Sequence, residues 1–460
     1  MQSILKSCQP HAEILAGTFN PEIFTASLNR VVADYRNGAA REGASSIYSD
    51  PVAFFRQATH PTTGLRSIVD NALARLVQGD LSRPAMQRLD TAFGGGKTHT
   101  LIALLHAAMQ GRPLAEAMSS IVSPERLGEP GAIRVVTIIG DTVDTIREGL
   151  GGAEAKPNTL WWLLADQLLD ETSRAPIRSR LESVSAPASG EFFDQLFGSQ
   201  PTLIIIDEIA QYLARMEADS PGVGAEQATA FLMALSTYAR ERGTLSIAIS
   251  LASSTNAFGD YNRLIRTLQE RHGISKQEAE AMTETANQQM RDVVGRVAEA
   301  TTPVTEGDLS HIMAKRLFTS VDPAAATAAA AAFVQMYRHT GTGLPAGASN
   351  PALQDELVAH YPFHPTLIAY LSQKLSLVEA FQGTRGLLRT LARTVRSIWH
   401  AGIDLPLIQT GHIDLSDNTI RAELLGRTGN DDFQAVLDAD VSKVAGSTAT
   451  TRTVAGELDA

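Results

Sequence analysis

Met86-Gln87-Arg88-Leu89-Asp90-Thr91-Ala92-Phe93-Gly94-Gly95-Gly96-Lys97-Thr98-His99 runs from a short apolar strand through a glycine corner into a helix. Three consecutive glycines let backbone N–H groups turn inward around an anion, and the helix that follows adds the positive end of its dipole. That helix carries Leu101, Leu104, Leu105 and Ala108 on one apolar face, which anchors the corner to a buried element. In this setting Lys97 reaches the β- and γ-phosphates of a nucleotide and the Thr98 hydroxyl holds Mg²⁺. Phe93, Gly94, Gly95, Gly96, Lys97, Thr98 and His99 are the candidate nucleotide-binding residues. Thr91 stands where the usual G-x-x-x-x-G-K-S/T loop has glycine, so a glycine-rich turn with a chance Lys-Thr pair is the alternative.

A second segment completes the pattern. Residues 203–208, Leu-Ile-Ile-Ile-Asp-Glu, form an aliphatic strand that ends in two acids. Buried strands avoid carboxylates, so an acidic pair at a strand's carboxyl end needs a partner there, and a metal-bound nucleotide supplies one. Asp207 is expected to contact Mg²⁺ through water, and Glu208 to polarise the water that attacks the γ-phosphate. Capping of the next helix by the same two acids is the competing explanation. Lys97 and Asp207 are 110 residues apart, room for one further strand and two or more helices.

Outward from these two segments, apolar runs alternate with helical patterns. The runs Met86–Leu89, Arg134–Ile139, 202–206 and Leu245–Ser250 predict four strands of a parallel sheet with crossover helices, an α/β core over residues 81–304. Residues 1–80 form a helical lead-in whose best element, 64–77, spaces Leu65, Ile68, Val69 and Ala72 as a helix does. Beyond Thr301 strand signals fade, and Asp322-Pro323 opens an alanine-rich helix of a helical lid domain, 305–425, before a weakly ordered tail, 426–460.

The 460 residues suffice for about three domains, and 44% hydrophobic with 19% charged residues is a globular mixture. With 39 basic against 50 acidic residues the net charge is −11, which excludes a generally basic, DNA-coating surface. One cysteine, Cys8, makes no internal disulfide and no cysteine-rich zinc site, pointing to a reducing compartment. Lys6 and Pro10-His11 interrupt the first residues where a secretory leader is apolar, and no tract reaches the roughly 20 residues of a membrane span, so the expectation is a soluble cytoplasmic protein.

Other chemistry-bearing residues are less specific. After the strand Leu245–Ser250, Ser254, Thr255 or Asn256 is placed to sense the γ-phosphate, and a plain serine-rich turn accounts for them equally well. Arg385, Arg389, Arg393 and Arg396 share one helix face. Arg385 is expected over the nucleotide phosphates, and the others either bind acids or a polynucleotide backbone or form a solvated face. Arg296 and Arg316 are candidates for an arginine supplied to a neighbouring subunit. His360 and His364 are four apart, but Pro362 and Pro365 interrupt the helix that would pair them on a metal. Tyr48, Phe54 and Phe55 either shelter an adenine or belong to the core.

Five strings together resemble one family: SIYSDPVAFFRQATHPTTGL at 46–65, TAFGGGKTHTLIALLH at 91–106, LIIIDEIAQYL at 203–213, HYPFHP at 360–365 and QGTRGLLRTLARTVRSIW at 382–399. They are similar to large bacterial and archaeal ATP-binding proteins of the AAA type, the family of domain of unknown function 499. The resemblance implies a P-loop NTPase core with a helical lid, ATP and Mg²⁺ as ligands, and nucleotide roles for Gly96, Lys97 and Thr98. It implies metal and catalytic roles for Asp207 and Glu208 and a second-sensor role for Arg385. It further implies loci shared with DNA methyltransferases and helicases in phage defence, and usually a longer chain with a carboxyl-terminal effector or partner-binding part. The expected function is ATP hydrolysis driving conformational change in a DNA-directed complex, with indirect DNA contact and a homo-oligomer in view. A nucleotide-gated scaffold with little turnover is the alternative. A two-lobed helicase ranks last, because no Q-x-x-G-R-x-x-R string follows.

Overall fold

An unbroken aliphatic run such as residues 203–206 is stable only in a sheet covered on both faces, and that is where it lies. The computed structural model describes residues 2–20, 26–90, 96–147, 155–219, 224–251, 258–340, 350–375, 384–415, 417–425 and 435. The sheet has five strands, β1 (Met86–Leu89), β2 (Arg134–Ile139), β3 (Thr202–Asp207), β4 (Leu245–Ser250) and β5 (Glu299–Thr301). Their order is β2-β3-β4-β1-β5 and every pairing is parallel. The first four strands are those expected from the sequence; β5 was not expected. All residues of β3 and β4 are buried.

Both faces are covered by helices. α1 (Thr63–Gln78) and α2 (Lys97–Gln110) pack on each other and on β3 and β4. On the other face Ile204, Ile206, Ile247 and Ile249 share a core with Trp161, Phe193, Leu213 and Phe231 of the crossover helices, among them α3 (Ile209–Asp219). α4 (Lys276–Val297) lies along α3. α1 also fixes the start of β4. Arg75, 1% exposed, donates from Nε to Leu245 O (2.7 Å), from Nη1 to Arg83 O (2.8 Å) and from Nη2 to Arg240 O and Arg242 O (each 3.1 Å). Carbonyl oxygens thus satisfy a buried cation that would otherwise be costly.

The chain divides into two units, residues 26–56 with 61–304, and residues 1–25 and 57–60 with 305–460. The stretch 1–80, a single lead-in by sequence, is shared between them, because α1 buries Leu65, Ile68, Val69 and Ala72 in the sheet-bearing unit. Cys8–Pro10 instead pairs antiparallel with Phe318–Val321 of the second unit, a ribbon in stretches that the sequence assigned to a helical lead-in and a helical lid. That unit also holds the alanine-rich helix Pro323–Thr340, whose Ala324 N–H donates to Asp322 Oδ1 (2.9 Å), and α5 (Thr384–Ala401). Cys8 is buried there and its thiol is pushed up to about 11 by that burial, the state of an unreactive thiol. Among the described residues no helix is long and apolar enough to cross a membrane. Of the tail, 426–434 and 436–460 lie outside the described residues.

Candidate functional site

Register brings the chemistry to one edge. Leu89 of β1 pairs with Ser250 of β4, Ile206 of β3 with Ile249 of β4, and Asp207 of β3 with Ile139 of β2. Ser250 and Asp207 therefore end neighbouring strands at the same level, at the carboxyl edge of the sheet. α2 starts at this edge from Gly96, whose φ is 102°. A Cβ at Gly96 would lie 2.6 Å from Val304 Cγ2, so glycine is required both by backbone conformation and by space. Thr100 N–H donates to Gly96 O (2.8 Å), which leaves the amides of residues 97–99 outside the helical ladder.

Lys97 and Thr98 both point to the strand ends. Lys97 Nζ donates to Leu251 O (2.7 Å), and Thr98 Oγ1 donates to Asp207 Oδ2 (3.3 Å). Ser250 Oγ donates to Asp207 Oδ1 and accepts the Glu208 N–H (3.1 Å), so one buried hydroxyl serves both acids. Burial pushes the Asp207 carboxyl above the usual carboxylate range, while the Ser250 hydrogen bond and the Lys97 charge oppose the shift. Burial likewise lowers the Lys97 ammonium, against the pull of Asp207, Glu208 and Asp90.

Glu208 sits at φ 51°, the one non-glycine residue with positive φ among the described residues. Such a conformation costs of order 1 kcal/mol or more and persists where its surroundings impose it. Besides Ser250, Gly140 imposes it. Gly140 N–H donates to Asp207 O (2.8 Å), and a Cβ at Gly140 would lie 2.2 Å from Glu208 O. The turn directs the two acids differently, Asp207 toward Thr98 and Ser250, and Glu208 toward Gln211, whose Nε2 donates to Glu208 Oε2.

Thus Lys97, Thr98, Asp207 and Glu208 are gathered at one edge, as the sequence led us to expect. Phe93, Gly94 and Gly95, with Ser254, Thr255 and Asn256, lie outside the described residues. The His99 ring stacks on Phe54 with centroids 4.5 Å apart and meets Tyr48 edge-on at 5.7 Å. It belongs with Tyr48, Phe54 and Phe55, none more than 3% exposed, in a core cluster, so what His99 offers a loop ligand is its backbone. Arg385 is the second residue of α5, and its side chain is outside the described residues. Arg296 is exposed and Arg316 half-buried. His360 Nδ1 bonds Glu356 O (2.8 Å) and His364 Nδ1 bonds the Thr366 hydroxyl (2.7 Å), so the two rings are used separately. Sequence reasoning missed Ser250, Gly140 and Gln211. A serine closing an otherwise aliphatic strand was the available signal for the first.

The donor set fits Mg²⁺ with a phosphate ligand. Mg²⁺ keeps several waters and takes one or two protein oxygens, and a threonine hydroxyl 3.3 Å from a buried carboxylate provides that pair. Among the described residues no group of three His, Cys, Asp or Glu side chains is close enough to hold a metal by itself.

Fold and site together define an α/β protein with a lysine, a threonine and two consecutive acids at the carboxyl edge of a parallel sheet. The chain belongs to the DUF499 family: residues 20–299 match the DUF499 N-terminal domain and residues 304–455 the DUF499 second domain. No curated protein and no solved structure matches it.

Proposed function

We propose that the sheet-bearing unit is an AAA-type P-loop ATPase core. The observation that carries this reading is the convergence of Lys97, Thr98 and the Asp207–Glu208 pair at the first turn of α2. Gly96 and the first-turn amides bind phosphate oxygens, Lys97 neutralises them, and Thr98 with Asp207 holds Mg²⁺. Bound there, the metal would supply neutralisation of phosphate charge. Glu208 orients a water and accepts its proton, and hydrolysis demands little else of the protein than positioning and charge. Arg385 of the lid is the proposed second sensor.

Phosphate release on the full chain tests the reading. Glu208→Gln lowers turnover by roughly 10²–10⁴ with ATP binding retained, and Lys97→Ala removes binding. Unchanged turnover in Glu208→Gln with intact binding refutes the assigned base. Turnover with and without duplex DNA tests the wider proposal, carried by the family resemblance, of a cytoplasmic defence complex with DNA methyltransferase or helicase partners and a homo-oligomeric ring. Turnover unmoved by DNA favours a protein-controlled switch.

A second reading is a nucleotide-gated scaffold, and one observation favours it: the Glu208 carboxylate is engaged by Gln211. A base held this way turns over slowly until the bond breaks. Single-turnover rates below about one per hour with tight ATP binding select this reading.

A further inference from the structure

The basic face of α5 borders a cavity of about 400 Å³ that lies wholly within the second unit. Arg389, Arg393 and Arg396 line one side, and Ile14, Phe19 and Ala392 contribute apolar surface. The arginines follow at intervals of four and three residues, so their guanidinium groups fall on one stripe of the helix. Arg393 Nη1 donates to Thr419 O (2.8 Å), which fixes that group at the rim. Arg396 is exposed and has no hydrogen bond or ion pair among the described residues. Its guanidinium lies against Gly17, where a Cβ would be 2.6 Å from Arg396 Cζ; φ there is 71°, so glycine makes the space.

Two carboxylates belong to the neighbourhood. Asp417 lines the cavity, but its Oδ1 caps a helix, taking Thr419 N–H (2.7 Å), the Thr419 hydroxyl (2.5 Å) and Ile420 N–H (3.3 Å). Asp414 accepts from Ser397 (3.0 Å). Arg393 acts on the Asp417 carboxyl, and by formal charge three arginines stand against two carboxylates, next to an aromatic ring, in a volume at the lower end of the range for small-molecule sites.

We infer that this cavity binds a small phosphate ester with an aromatic or apolar body, of the size of a nucleoside mono- or diphosphate. Guanidinium forks are suited to phosphate oxygens, and Phe19, Ile14 and Ala392 to a flat ring. A stretch of polynucleotide is disfavoured, because it needs an extended track of basic residues, and here three arginines within about two turns of one helix stand beside apolar walls.

The inference does not depend on nucleotide binding at Lys97, and the test keeps the two apart. Full-length protein carrying Lys97→Ala is titrated calorimetrically with ADP and, separately, with inorganic pyrophosphate. The expected result is one site, tighter for ADP than for pyrophosphate. Arg396→Gln in that background weakens ADP roughly tenfold or more while the melting temperature stays unchanged, since the residue is exposed, and Arg396→Lys recovers part of the loss. Four results overturn the inference: neither probe binds the Lys97→Ala protein; binding is indifferent to Arg396→Gln and to Arg393→Gln; pyrophosphate binds and ADP does not; or a single-stranded oligonucleotide binds and ADP fails to displace it.

Discussion

Ser250→Ala is the most direct test of how the acidic pair is held. Ser250 is 0% exposed, and its hydroxyl donates to the Asp207 carboxylate and accepts the Glu208 N–H (3.1 Å). Alanine fits the same space, so the change is purely polar. A hydrogen bond to a charged group contributes about 1.5–3 kcal/mol, and a buried N–H left without an acceptor costs about 1–3 kcal/mol. The expected loss is therefore about 2.5–6 kcal/mol, or about 5–20 °C in melting temperature for a unit of this size. Ser246 provides the control. It lies in the same strand, equally buried at 0%, and its hydroxyl has no partner among the described residues. Ser246→Ala is expected to be neutral or stabilising, because it deletes an unsatisfied buried hydroxyl. Scanning calorimetry of wild type and both variants decides. A Ser250→Ala melt within about 1 °C of the Ser246→Ala melt refutes the bridging role. In the ATPase reading the same variant also shifts Mg²⁺-dependent ATP binding to higher pH, since Asp207 loses the hydrogen bond that most opposes its upward shift.

Asp207→Asn removes a charge that burial penalises. The raised carboxyl favours the native state below the ordinary value of 3.8, and that contribution is lost as pH rises through the native value. At pH 7 the variant should melt no lower than wild type while losing Mg²⁺-nucleotide binding, and the melting difference should shrink toward pH 4; a large drop in melting temperature at pH 7 contradicts this. Gly140→Ala places a Cβ 2.2 Å from Glu208 O, so we expect a loss of about 2–4 kcal/mol in a urea titration, and a variant of wild-type stability would show that the two turns are not in contact. His106 is pushed down to about 4 by burial, between the Tyr35 hydroxyl (2.6 Å) and Tyr48 O (3.0 Å), so the native state keeps it neutral. Its contribution is intact above 6.5 and is lost as pH falls toward 4, by up to about 3 kcal/mol; His106→Gln should flatten the stability profile in that window, and an unchanged slope would count against it.

β1 to β4 were legible because each is a local run of aliphatic or β-branched residues that ends at a polar corner. β5 was not, since Glu299-Ala300-Thr301 is three mostly exposed residues that become a strand only by pairing with β1. The pairing of Cys8–Pro10 with Phe318–Val321 joins segments some three hundred residues apart and leaves no local pattern to read. Lys97, Thr98, Asp207 and Glu208 were named from residue type and order. The residues that support them were not, because their importance comes from register: Ser250 matters through Asp207 on the adjacent strand, and Gly140 through the backbone of Glu208.

The sequence alone settles the four strands β1 to β4 and that a lysine, a threonine and two acids stand at strand–helix corners, because side-chain periodicity and glycine's conformational freedom act over a few residues. Which strand lies beside which, which hydroxyl bridges the two acids, and what the arginines of α5 face are decided only by the tertiary structure. Those relations depend on non-local register and burial, and hydrogen bonding between buried groups has no counterpart in a single stretch of chain.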